Sequence, residues 1–178
     1  MSNSTKAFPF NPSCKNFIIA GSSFTGKSFL LSQILLDHEN MFELPIKSII
    51  YCYRVFQEGY YKLEKGLGNK IQFINGLPSR EQLLACPSPM ILCLDDLSDQ
   101  VFSSDLIQEV YSVLSHHKDI IVFAITQNIF YQSKNARNIN LNVQCYLVTR
   151  NCRDLNQLKT VARSLFPNTP GVVMDAYR

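Results

Sequence analysis

The chain has 178 residues, 46% hydrophobic and 17% charged, which suits a single globular domain over residues 1–178 and excludes a disordered one. Its formal net charge of +3 is too small to argue for nucleic acid by itself. The apolar runs are too short for a membrane span and the polar start "MSNSTKAF" lacks a signal-peptide core, so a soluble intracellular protein is expected, with no membrane partner.

In chain order, the first apolar run is "NFIIA" (16–20), followed at once by "GSSFTGKS" (21–28) and the helix-like "FLLSQILL". Further β-rich runs are "IKSIIYCY" (46–53), "KIQFI" (70–74), "MILCL" (90–94), "DIIVFAI" (119–125) and "VQCYLVT" (143–149). Continuous apolar runs of this length suit strands covered on both faces, as in a parallel sheet. "LEKGLGNK" (63–70) reads as a loop and "ACPSPM" (85–90) as a short connection. Leu106, Ile107, Val110, Tyr111 and Leu114 form a stripe at helical spacing, and His116 and His117 mark a solvated helix end. Asp154 and Gln157 resemble a capping box, with Leu155, Leu158, Val161, Ala162 and Leu165 as the buried face of a helix that Pro167 ends. Residues 168–178 read as an irregular tail beyond a core of about 16–167. Strands alternating with helices indicate an α/β domain, a mostly parallel sheet with helices on both faces.

GSSFTGKS fits the phosphate-binding pattern G-x-x-x-x-G-K-S/T, and the strand before it and helix after it are the context that pattern needs. Gly21 lets the chain turn off the strand, and Gly26 lets backbone approach phosphate oxygens with no Cβ in the way. Ser22, Ser23, Phe24, Thr25 and Phe29 complete the expected nucleotide-binding segment, whose N–H groups would face the phosphates at a helix N-terminus. Lys27 would reach the β- and γ-phosphates, and the Ser28 hydroxyl would ligate Mg²⁺. The plainer alternative is a strand–turn–helix with a surface lysine.

A phosphate loop needs a carboxylate at the end of a neighbouring strand, and "MILCLDD" supplies two. Asp95 is the expected metal-side acid, and Asp96 stands where hydrolytic enzymes of this type orient the attacking water. A helix-capping "DDLSD" cluster is the alternative. Thr126, Gln127 and Asn128 end the next strand, where an amide could sense the γ-phosphate; a simple turn is the alternative. The six cysteines make no C-x-x-C pair, and Cys52, Cys93 and Cys145 sit in strand-like runs as expected buried free thiols. Charge is uneven: residues 1–117 are net −2 and residues 118–178 net +5, a bias that a polyanion-binding face or chance surface variation would each produce.

"IIYCYRVFQ", "IQFINGLPS", "LDDL", "ITQNIFYQSKNARNINLN" and "RDLNQLKTVARSLFP", taken with GSSFTGKS, resemble the viral genome-packaging ATPases of the FtsK–HerA superfamily. The similarity is greatest to the small versions in Polinton/Maverick elements and adintoviruses, and more distant to the poxvirus proteins. The resemblance implies a RecA-like ASCE P-loop NTPase fold, ATP and Mg²⁺ as cofactors, and Gln127 as the polar sensor. It also implies a homo-oligomeric ring of five or six subunits, working on double-stranded DNA and capsid or portal proteins at viral assembly sites. Asp96 departs from the glutamate that many members carry.

An arginine acting across a subunit boundary is a further implication. Arg137, in "SKNARNINLN", matches the family's position, on an expected loop, with DNA contact or a solvated loop charge as its alternatives; Arg150 and Arg153 are the alternative arginines, and Lys134 is a DNA-phosphate contact. Other P-loop classes fit less well. No D-x-x-G follows the metal strand, "NKIQ" lacks a guanine-reading aspartate, and no arginine-rich kinase lid is present. A nucleotide-dependent assembly protein remains the reading from another class.

Overall fold

All six apolar runs become strands in the computed structural model, which describes residues 9–129, 131, 133–149 and 155–177. They are Asn16–Ala20 (β1), Ser48–Tyr53 (β2), Ile71–Asn75 (β3), Met90–Asp95 (β4), Ile120–Thr126 (β5) and Cys145–Val148 (β6). Every pairing is parallel, in the order β3-β2-β4-β5-β1-β6. β5 therefore separates β1, which leads into the glycine loop, from β4, which ends in Asp95.

Alternate side chains of each strand enter opposite cores, as the twofold pleat requires. Phe17 and Ile19 of β1 pack with Leu31, Ile34 and Leu35 of the helix Lys27–Leu36 (α1) and Leu63 of Gly59–Leu67 (α3). Between these two helices lies the single turn His38–Met41 (α2). Ile18 and Ala20 face the other way, toward the helices Arg80–Ala85 (α4), Ser98–Ser103 (α5), Asp105–Glu109 (α6) and Ala136–Asn142 (α8). Both faces are thus covered, and each fully buried Leu, Ile or Phe stabilises the fold by about 1.5–3 kcal/mol. Phe17 stacks on Phe123 at 4.5 Å between ring centroids, locking β1 to β5.

The 106–114 stripe is helical with a local widening: Val110–Leu114 form a π-helical turn between α6 and Ser115–His117 (α7). There the Tyr111 carbonyl accepts from Asn16 Nδ2 at 2.8 Å, tying the start of β1 to this helical layer. His116 and His117 are exposed, as expected of a helix end.

Four expectations need correction, the last of them at Cys145. "LEKGLGNK" is not a loop but the end of α3 followed by the 3₁₀ turn Gly68–Lys70. Its glycine at 66 serves close packing: a Cβ there would lie 2.4 Å from Leu36 Cδ2 of α1. The tail is not irregular, since Pro170–Tyr177 (α10) is a helix, opened by a proline whose fixed φ suits the first helical position. It packs along Leu155–Leu165 (α9), and Tyr177 donates to the Thr149 carbonyl at 3.2 Å. Among the described side chains of α9, Leu158, Val161 and Ala162 are buried, while Leu155 and Leu165 are exposed, so the apolar stripe is wider than the contact it makes.

Cys52 and Cys93 are buried free thiols, the first pushed up to about 12 by burial. Cys145, expected to be buried, is only half-buried, because β6 is an edge strand, and like Cys14 it packs against the core of Phe17 and Ile19. Asp154 of the expected capping box, Cys152, Arg150 and Arg153 lie outside the described residues. Among the described residues no helix is long and apolar enough to cross a membrane.

Candidate nucleotide site

β1 delivers the chain to the carboxyl edge of the sheet at Gly21, where open α/β sheets gather their ligands. Only glycine fits at this point: a Cβ would meet Thr149 Oγ1, just beyond β6, at 2.0 Å. The Thr149 hydroxyl lies 2.6 Å from Thr25 Oγ1, and Thr25 donates to the Ser22 carbonyl at 2.8 Å. The loop is thereby folded back on itself and tied to the neighbouring strand. Gly26 then takes φ 85 to open α1, and the place where its Cβ would stand is empty space. The first N–H groups of any helix lack intrahelical acceptors, so the opening turn of α1 presents donors to that space.

Lys27 is 9% exposed, and its ammonium donates to the Ser22 carbonyl at 2.6 Å. Burial lowers its pKa, and the charges of Asp95 and Asp96 oppose that shift. Ser28 Oγ donates to Asp95 Oδ1 at 3.3 Å, so the two residues expected to share a metal are in contact.

Asp95 is 3% exposed, and its other oxygen accepts from two buried tyrosines, Tyr51 at 2.7 Å and Tyr60 at 3.3 Å. Burial raises the Asp95 pKa, and the hydrogen bonds from Tyr51, Ser28 and Tyr60 hold it down. Both tyrosine hydroxyls are in turn pushed up, first by burial and then by the Asp95 charge, so they stay protonated donors. The pair occupies Oδ2 and leaves Oδ1 facing Ser28.

Asp96 leaves the strand in the left-handed region, φ 56, which turns it away from the core and into solvent. The capping alternative for the acidic pair is not what the chain does, because α5 begins after Leu97 with no side-chain cap. Thr126 is buried at the end of β5. Its hydroxyl donates to the Asn128 carbonyl at 2.8 Å, accepts from Asn128 N–H at 3.1 Å and meets Ser98 Oγ at 3.2 Å. This small turn is what sends Gln127 outward.

A cleft of about 600 Å³ lies over this edge, within the usual range for a small-molecule site. Ser23, Phe24, Gly26, Lys27, Ser28, Phe29, Asp95, Asp96 and Gln127 all line it. Of the expected residues, Gly21, Ser22 and Thr25 stand behind the loop and shape it instead. Arg137 is elsewhere: it sits on α8, not on a loop, and lines a separate groove of about 530 Å³ with Leu141, Tyr146 and Leu165.

Sequence reasoning missed Tyr51, Tyr60, Arg54, Gln57, Asp99 and Thr149. Two signals were present in "IIYCYRVFQ": tyrosines inside an otherwise apolar strand, and an arginine just past its carboxyl end.

No protein-family model matches the chain, and no curated protein matches it. Among solved structures it is similar to the genome packaging NTPase B204 of Sulfolobus turreted icosahedral virus 2, solved in complex with ATP-γS. The TM-score is 0.61 at 15% identity, over 92% of this chain and 88% of that one. At this identity the likeness is one of fold. The fold is RecA-like, a parallel α/β sheet with one strand inserted between the loop strand and the acidic strand.

Proposed function

We propose that the chain is a Mg²⁺-dependent ATPase and the motor subunit of a genome-packaging machine that drives double-stranded DNA into a capsid. The observation that carries the ATPase reading is the meeting of Ser28 and Asp95 at the foot of a glycine-bounded loop, with Lys27 beside them. The residues fit the groups they are asked to hold. Gly26 leaves room for a phosphate, and one hydroxyl with one buried carboxylate is a normal protein share of a Mg²⁺ shell completed by phosphates and water.

Bound Mg²⁺ would neutralise charge developing on the β- and γ-phosphate oxygens. Lys27 exchanges its bond to the Ser22 carbonyl for one to the phosphates. Asp96, exposed in the cleft, accepts a hydrogen bond from the attacking water and then its proton, while Gln127 orients that water. The water oxygen bonds to the γ-phosphorus as the bond to the β–γ bridging oxygen breaks, releasing ADP and phosphate.

DNA is the discriminating reagent. Linear double-stranded DNA of arbitrary sequence should raise the ATP hydrolysis rate several-fold, and added salt should erase the effect steeply, since a motor that travels any sequence grips phosphates. ATP turnover indifferent to DNA would favour a nucleotide-dependent assembly protein.

Arg137 supports a ring, being outside the phosphate cleft of its own subunit and therefore free to serve a neighbour's. Arg137→Ala should bind ATP normally yet lose turnover. Mixing it with Lys27→Ala subunits should restore part of the rate, because some interfaces then pair an intact loop with an intact arginine. Recovery should vanish on dilution below the assembly concentration. No recovery in demonstrably mixed rings would place Arg137 in cis or on DNA.

A further inference from the structure

The segment joining β2 to α3 forms a wall of the cleft that the motif residues do not explain. β2 and β4 are in register with Tyr53 opposite Asp95, which brings Arg54, the next residue, to the level of Asp96 at the sheet's carboxyl edge. Arg54 and Gln57 both line the cleft.

The backbone here is pinned. Asn75 Nδ2 donates to the Arg54 carbonyl at 3.1 Å, and Gly76 N–H to the Tyr53 carbonyl at 2.9 Å. Phe56 packs edge-on against Tyr53 and Tyr60, with ring centroids 5.6 and 5.3 Å apart. Tyr60 is the residue that reaches Asp95, so the segment and the metal-side carboxylate share one anchor. The guanidinium of Arg54 is exposed, and none of the ion pairs among the described residues takes it up.

Charge gives this arginine its purpose. Among the described residues, the charged lining of the cleft comprises three carboxylates, Asp95, Asp96 and Asp99, and two cations, Lys27 and Arg54. Lys27 stands on the loop side, bonded to the Ser22 carbonyl. A terminal phosphate projecting toward Asp96 and Asp99 meets like charge, and Arg54, level with Asp96, is the lining cation on that wall among the described residues.

We infer that Arg54 binds the γ-phosphate of a nucleoside triphosphate from within the same subunit and so distinguishes triphosphate from diphosphate. The inference rests on the ATP reading above. A planar guanidinium can hold two phosphate oxygens at once, which an ammonium cannot. ADP offers it nothing at that position.

The test compares equilibrium affinities for ATP-γS and ADP, each with Mg²⁺, in the intact chain and in Arg54→Gln, Arg54→Lys and Lys27→Ala. Arg54→Gln should weaken ATP-γS by about 10- to 100-fold and ADP by less than about 3-fold, with Tm unchanged because the side chain is exposed. Arg54→Lys should fall between, keeping the charge without the fork. Lys27→Ala should weaken both nucleotides. Equal losses for ATP-γS and ADP in Arg54→Gln would reduce Arg54 to a general attraction and overturn the inference. Unchanged ATP-γS binding in that variant, beside a clear loss in Lys27→Ala, would overturn it alone. An intact chain that binds neither nucleotide would overturn the ATP reading and this inference with it.

Discussion

Lys27→Ala should reduce ATP hydrolysis by about 10²–10³-fold or more and weaken nucleotide binding, while leaving Tm no lower than in the unaltered chain. The loss of rate follows from position. Lys27 is the cation on the loop side of the cleft, and among the described residues no other lining cation stands there to replace it at the β- and γ-phosphates. The indifference of stability follows from burial. The residue is largely buried and its pKa is lowered by desolvation, so keeping it charged opposes folding at neutral pH. The bond to the Ser22 carbonyl and the attraction of Asp95 and Asp96 offset that cost only in part. Steady-state phosphate release and a thermal melt on the same sample check both halves. Hydrolysis near the unaltered rate would remove the phosphate-loop assignment.

The adjacent acids should separate by phenotype, because the chain puts them in opposite environments. Asp95→Asn should lose Mg²⁺-dependent nucleotide binding with no loss of Tm. Burial raises the Asp95 pKa, so its ionised form costs stability, a cost fully present once pH exceeds the folded pKa. A neutral amide oxygen still accepts from Tyr51 and Tyr60. Asp96→Asn should bind Mg-ATP as before and hydrolyse it about 10²–10⁴-fold more slowly, through loss of the proton acceptor. Asparagine is well tolerated at the left-handed φ of 56 found there, so the backbone turn survives the change. Nucleotide affinity as a function of Mg²⁺, measured beside turnover, distinguishes the two. Reversed phenotypes would exchange the metal and water roles.

Much of this was legible in the chain itself. The six strands stand within a few residues of their expected bounds, because the four central ones are buried on both faces and so apolar along their length, and all six runs are contiguous. GSSFTGKS is equally readable, since one turn of backbone makes the whole cradle and its residues are neighbours in sequence. The misreadings share a cause. "LEKGLGNK" carries two glycines and looks like a loop, but one of them faces Leu36 on a helix 30 residues away. The tail carries Pro170 and Gly171, and its helix is held by α9 and Thr149 rather than by its own composition.

The inventory can be read off the chain: six strands, the glycine loop with Lys27 and Ser28, and the acidic strand end at Asp95 and Asp96. Their arrangement cannot. The insertion of β5 between β1 and β4, the grip of Tyr51 and Tyr60 on Asp95, the placing of Arg54 in the cleft and the distance of Arg137 from it belong to the fold. The physical reason is range. Hydrophobic periodicity and turn chemistry act between residues a few positions apart, whereas Tyr51 meets Asp95 across 44 positions and Ser28 meets it across 67. Such meetings exist only once strands have paired and both faces of the sheet are closed.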